Sequence, residues 1–163
     1  MLFGTVGGVA VESKGRSVSV IYTADFNSWI QRTAQLLRER RWHEIDLEHL
    51  IEAIEDLGKS ERRAIASQLT RLVLHLLKWQ YQPQRRSDSW LDSITDARTQ
   101  IELAIVDSPS LKNYPVEQLE QSYQRARRQA AQQTRMPLSV FPDECPYSLE
   151  LVLDEGWLPE ESD

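Results

Sequence analysis

The sequence predicts an all-α fold: a compact antiparallel bundle of about five helices with an irregular C-terminal segment. Three observations carry this. Apolar residues recur at i, i+3, i+4 and i+7 almost without break from residue 25 to residue 134. Capping residues, prolines and short polar stretches interrupt that rhythm at intervals suited to short connections. Apolar residues make up 40% of the 163-residue chain and charged residues 27%, the balance of a globular protein rather than a disordered one.

The elements follow in order. Residues 1–22 read as a poorly ordered extension, even one translated from an upstream start codon, because four of the six glycines fall at Gly4, Gly7, Gly8 and Gly15. Only Ser17 to Tyr22 alternates like a strand, and a lone hairpin is marginal. Residues 23–163 read as one helical domain. Its first helix spans about Asp25 to Arg40, with Thr23 or Asp25 as cap and Phe26, Trp29, Ile30, Thr33, Leu36 and Leu37 on its apolar face. A second begins after Asp46, buries Leu47, Leu50, Ile51, Ile54 and Leu57, and stops at Gly58.

Ser60 is expected to cap the third helix, which runs to about Tyr81 and is the most apolar. Its stripe is Ile65, Leu69, Leu72, Val73, Leu76, Leu77 and Trp79, and Pro83 forbids much continuation. Ser87 or Ser89 caps a fourth, about Trp90 to Val106, and a loop at 107–110 follows. Pro115 suits the first turn of a fifth, which runs to about Thr134 with Leu119, Tyr123, Ala126 and Ala130 facing inward. Beyond it lie four prolines and one short helix over about Ser148 to Leu153.

Charge is uneven. Residues 59–135 hold 13 basic and 8 acidic residues, whereas residues 136–163 hold 8 acidic and no basic ones. The acidic end either folds back on the basic middle, which the shared chain favours, or leaves a basic face for an anionic partner. No apolar run approaches the roughly 20 residues of a membrane-spanning helix, so no membrane partner is expected. One cysteine, Cys145, excludes an intramolecular disulfide and a cysteine-based zinc site.

Several segments, in order, resemble one bacterial family. They are Asp25-Phe26 with Trp29, Asp46-Leu47-Glu48 with Leu50-Ile51-Glu52, and Ile54-Glu55-Asp56-Leu57-Gly58. They continue with Ser60-Glu61-Arg62-Arg63, the tract from His75 to Pro83, Ser87 with Ser89-Trp90, and Asp107-Ser108-Pro109-Ser110-Leu111. Phe141-Pro142 with Cys145-Pro146-Tyr147 completes the set. Over about residues 22–157 this is similar to the family catalogued as domain of unknown function 29. The resemblance implies a compact all-helical domain and no activity, cofactor or catalytic residue.

Candidate sites are sparse. His43, Asp46, His49 and His75 offer ligand types for a metal, with Asp46 and His49 three apart on one helical face. The plainer reading has Asp46 capping a helix and His49 on its solvated side. Lys78, Arg85, Arg86, Arg125 and Arg128 form a candidate surface for an anion or nucleic acid, with Arg127 in the same cluster and Trp79 and Tyr81 nearby. The sequence pI of about 5.2 argues against nucleic acid. Cys145 sits between Glu144 and Pro146, where an anion raises a thiol pKa, so it reads as structural. No Gly-rich phosphate loop, nucleophile elbow or zinc-protease pattern occurs, so no cofactor and no catalytic residue is assigned. The leading expectation is a non-enzymatic cytoplasmic module that acts by contact with another protein or with its own copy. Anion binding through the basic surface is the alternative, and a metal-dependent enzyme the second.

Overall fold

The computed structural model describes Tyr22 and residues 24–161. The sequence reading of residues 1–21 lies outside the described residues. The described residues are predominantly helical, with an irregular C-terminal segment around one short helix and no strand among them. Its helices are α1 (Phe26–Arg38), α2 (Leu47–Tyr81), α3 (Asp88–Asp107), α4 (Tyr114–Thr134) and the short α5 (Leu149–Leu153). Single 3-10 turns lie at Trp42–Glu44, Pro83–Arg85, Pro109–Leu111 and Leu138–Val140. The chain divides into two compact units, Met1–Gly58 and Lys59–Asp163.

In the first unit, Asp25 caps α1 as its sequence position predicts. Its Oδ1 accepts from Ser28 N–H at 3.0 Å, and its Oδ2 from Ser28 Oγ at 2.6 Å. The helix ends where Arg40 takes a left-handed φ of 57°, turning the chain into the 3-10 turn. Asp46 then caps α2, accepting from His49 N–H at 3.3 Å.

Here the structure departs from the sequence reading. The second and third predicted helices are one 35-residue helix, α2. Gly58 does not stop it and Ser60 does not start it. Gly58 lies in the helix interior, with nothing within 4 Å of where a Cβ would stand. A helical glycine costs about 1 kcal/mol relative to alanine. The good helix formers around it, from Glu55 to Leu57 and from Glu61 to Ala64, outweigh that cost.

In the second unit, the later part of α2 supplies the centre of the core. Leu69, Leu72, Val73, Leu76 and Leu77 are fully buried. Against them pack Ile94, Ala97 and Ile101 of α3, and Tyr123, Ala126 and Ala130 of α4. The two alanines at i and i+4 let α4 approach closely, as their small size predicts. Phe141, Tyr147 and Val152 from the C-terminal segment complete the cluster. Ser148 caps α5 by accepting from Leu151 N–H at 3.3 Å.

Charge also resolves locally. Arg86 pairs with Glu161 at 3.0 Å and Arg127 with Asp143 at 2.6 Å, so the acidic C-terminal segment does fold back on basic residues of the same chain.

Candidate functional site

The first unit carries an apolar groove. Along α1, Phe26, Ile30, Ala34 and Leu37 recur at helical spacing, and along α2 Leu50, Ala53, Ile54 and Leu57 do the same. Together with Tyr22 they line a groove of about 470 Å³. Half of the predicted α1 stripe is buried, namely Trp29, Thr33 and Leu36. The other half is not: Phe26 is 49% exposed and Ile30 44%. On α2 the expected burial fails almost wholly, with Ile54 62% and Leu57 65% exposed, and Leu47 and Ile51 outward too. A sequence stripe states that a face is apolar and leaves open what covers it; here the described residues of the unit do not. Trp29 Nε1 and Thr33 Oγ1 lie buried with no hydrogen-bond partner among the described residues.

Aromatic rings gather at one end of the groove. The Tyr22 ring lies 4.8 Å from Trp29 and 4.3 Å from His49, and Phe26 stacks on Trp29 at 5.6 Å. Partial burial and the neighbouring Glu52 and Asp56 carboxylates raise the Tyr22 hydroxyl above the usual phenol range.

The candidate metal ligands fall out as follows. Asp46 Oδ2 and His49 Nδ1 meet at 2.8 Å, a pair that caps α2 and orients the imidazole. His43 is exposed beside Glu44 at 3.6 Å. In the second unit, His75 Nδ1 donates to the Arg71 carbonyl at 2.9 Å. Burial, aided by the Lys78 and Arg71 charges, lowers the His75 pKa below the ordinary imidazole value. No group of three or more His, Cys, Asp or Glu side chains able to hold a metal occurs among the described residues.

The candidate anion-binding residues do not form one surface patch of free charge. Lys78 donates to Gln133 Oε1 at 3.2 Å and sits 4.5 Å over the Trp90 ring, with burial lowering its pKa. Arg86 lies 4.8 Å over the Trp79 ring, donates to the Trp79 carbonyl at 3.0 Å and pairs with Glu161. Tyr81 packs edge-on to Phe141 at 4.9 Å. Arg85 and Arg128 are exposed on the surface, and Arg125 lines a polar groove between α2 and α4.

Two arginines prove to be structural clasps. Arg98 is buried and donates to the carbonyls of Val152 at 2.9 Å, Glu155 at 3.3 Å and Trp157 at 2.9 Å. Arg127 is also buried and donates to the carbonyls of Phe141 and Leu138 as well as to Asp143. Sequence offered one signal for each: Arg98 stands i+4 from Ile94 on an apolar stripe, and Arg127 stands i+4 from Tyr123. Cys145 is half-buried, and desolvation raises its thiol pKa further.

These features define an all-helical chain with an apolar groove in its first unit that the described residues leave open and a clasped acidic C-terminal segment in its second, in which no assembled catalytic constellation is found among the described residues. The sequence profile described as Domain of unknown function DUF29 matches residues 21–158, and the chain belongs to that family. No curated protein and no solved structure matches it. No helix of the described residues is long and apolar enough to cross a membrane.

Proposed function

We propose that the chain is a non-catalytic helical module that acts by protein–protein contact, and that the occupant of its apolar groove is the same groove of a second copy. The carrying observation is the outward row of Phe26, Ile30, Leu37, Ile51, Ile54 and Leu57. At roughly 100 Å² apiece these offer about 600 Å² per copy, most of the ~800 Å² per partner of a standard interface. Among the described residues nothing covers this patch, and its size is at the upper end of what a monomer exposes, where such patches are often functional.

Charge points to self-pairing. Residues 25–41, which include α1, hold four arginines against two carboxylates. Residues 47–58, the first part of α2, hold Glu48, Glu52, Glu55 and Asp56 with no lysine or arginine. A two-fold axis running along the helices would set α1 of one copy against α2 of the other, so that a basic helix meets an acidic one twice. Arg38 and Arg40 on one side, and Glu48 and Glu55 on the other, form no ion pair among the described residues.

A bacterial cytoplasmic setting belongs to the same proposal, supported by the family resemblance and by the free thiol of Cys145. Sedimentation equilibrium tests the self-pairing. A dimer is expected at about 100 μM, and Ile54→Asp with Leu57→Asp should leave a folded monomer. Arg38→Glu should weaken the dimer and Glu55→Arg added to it should recover part of the loss. A monomeric wild-type chain at that concentration refutes the proposal.

A further inference from the structure

The second unit holds a groove of opposite character, of about 510 Å³. One wall is a single face of α2, where Arg63, Ser67, Thr70 and Arg71 follow one another at helical spacing. The other is a single face of α4, with Gln118, Gln121 and Arg125. Small buried residues, Ala66 and Thr70, make its floor. Three arginines line it and no aspartate or glutamate does, in a protein with a net charge of -6. Arg71 pairs outward with Asp96 at 2.6 Å. Among the described residues, Arg63 and Arg125 have no ion-pair partner.

Two helices packed side by side ordinarily close an apolar seam. Here the seam is opened and lined by guanidinium and amide donors, and two of its three guanidinium groups, Arg63 and Arg125, are left without a carboxylate partner among the described residues, which favours an anion between them. Arg63 and Arg71 are eight residues apart, about 12 Å along the helix axis. A single tetrahedral oxyanion is too short to reach both ends, whereas linked phosphoryl groups, met by the long arginine side chains, can. Guanidinium forks match phosphoryl oxygens bidentately, and the glutamine amides supply further donors. We infer that this groove is a binding site for a small anion bearing two or more linked phosphoryl groups, held by Arg63, Arg71 and Arg125. The site lies wholly in the second unit and does not depend on self-pairing of the first.

Titration calorimetry with inorganic pyrophosphate as the probe tests this at fixed salt. Pyrophosphate should bind at least tenfold more tightly than inorganic phosphate. Arg63→Gln with Arg125→Gln should weaken it at least thirtyfold. Both side chains are exposed, so the variant should keep the wild-type circular dichroism and melting curve. Arg128→Gln, on α4 but outside the groove, should change binding less than threefold. Three results overturn the inference: equal affinity for phosphate and pyrophosphate, the same loss in Arg128→Gln as in the double variant, or no heat of binding at all. Binding of a single-stranded oligonucleotide that pyrophosphate does not displace would likewise assign the arginines to a nucleic acid and overturn it.

Discussion

Replacing Gly58 by alanine separates two descriptions of the same stretch of chain. A glycine that ends a helix holds a left-handed φ, and alanine there is strained by about 1 kcal/mol or more. A glycine in a helix interior is a weak point, and alanine there stabilises by about 0.8–1 kcal/mol. Gly58 lies within α2, and a Cβ at that position meets nothing within 4 Å, so the full propensity gain is expected without any steric offset. Most of that gain is the backbone freedom that glycine has in the unfolded chain and alanine lacks. The helix on the N-terminal side of Gly58 has one apolar face open, so it should open locally before the whole chain unfolds. Amide hydrogen exchange across residues 52–62 is therefore the right assay. A gain of about 1 kcal/mol slows exchange there roughly fivefold where opening is local. Faster exchange in Gly58→Ala, or a lower melting temperature, would refute a continuous α2.

Three further outcomes follow from the side-chain environments. Arg98→Met removes a buried charge with three carbonyl partners and strands those carbonyls, so a loss of about 3–5 kcal/mol is expected in urea unfolding, with Trp157 fluorescence as the local reporter. A loss below 1 kcal/mol would show that the clasp carries no weight. Because burial lowers the folded-state pKa of His75, the unfolded chain takes up its proton first as pH falls. That contribution is neutral above the ordinary value of 6.5 and turns destabilising below it, so His75→Gln should flatten the stability curve between pH 6.5 and lower pH. Cys145, half-buried and with its pKa raised by desolvation, should react with iodoacetamide far more slowly at neutral pH than a free thiol, and gain rate only in alkali or denaturant.

Much of the fold was legible because the relevant physics is local. Asp25, Asp46 and Ser148 accept from backbone N–H groups three residues on, which a polar residue before an apolar rhythm announces. Pro115 stands in the first turn of α4, where its missing N–H costs nothing. The stripe from Ile65 to Leu77 is buried because three other segments close on it. Gly58 and Ser60 misled because each is a weak signal whose outcome depends on the summed propensity of its neighbours. The groove of α1 and α2 was legible as apolar residues and illegible as a surface, since periodicity fixes a face and says nothing of its cover. Lys78 and Arg86 looked like free charge, yet Trp90, Trp79 and Glu161 occupy them through long-range packing that no spacing reveals. No spacing along the chain joins Arg63 and Arg71 to Arg125, which meets them only across the groove.

The C-terminal segment is fastened in two chemically different ways. Around residues 152–157 a guanidinium grips main-chain oxygens, and neither group titrates in the range where proteins are handled. At residue 161 the attachment is an exposed carboxylate facing Arg86, which salt shields. Raised salt should therefore free Glu161 like the loose end of a strap whose buckle stays shut, while Trp157 keeps its place against Tyr147.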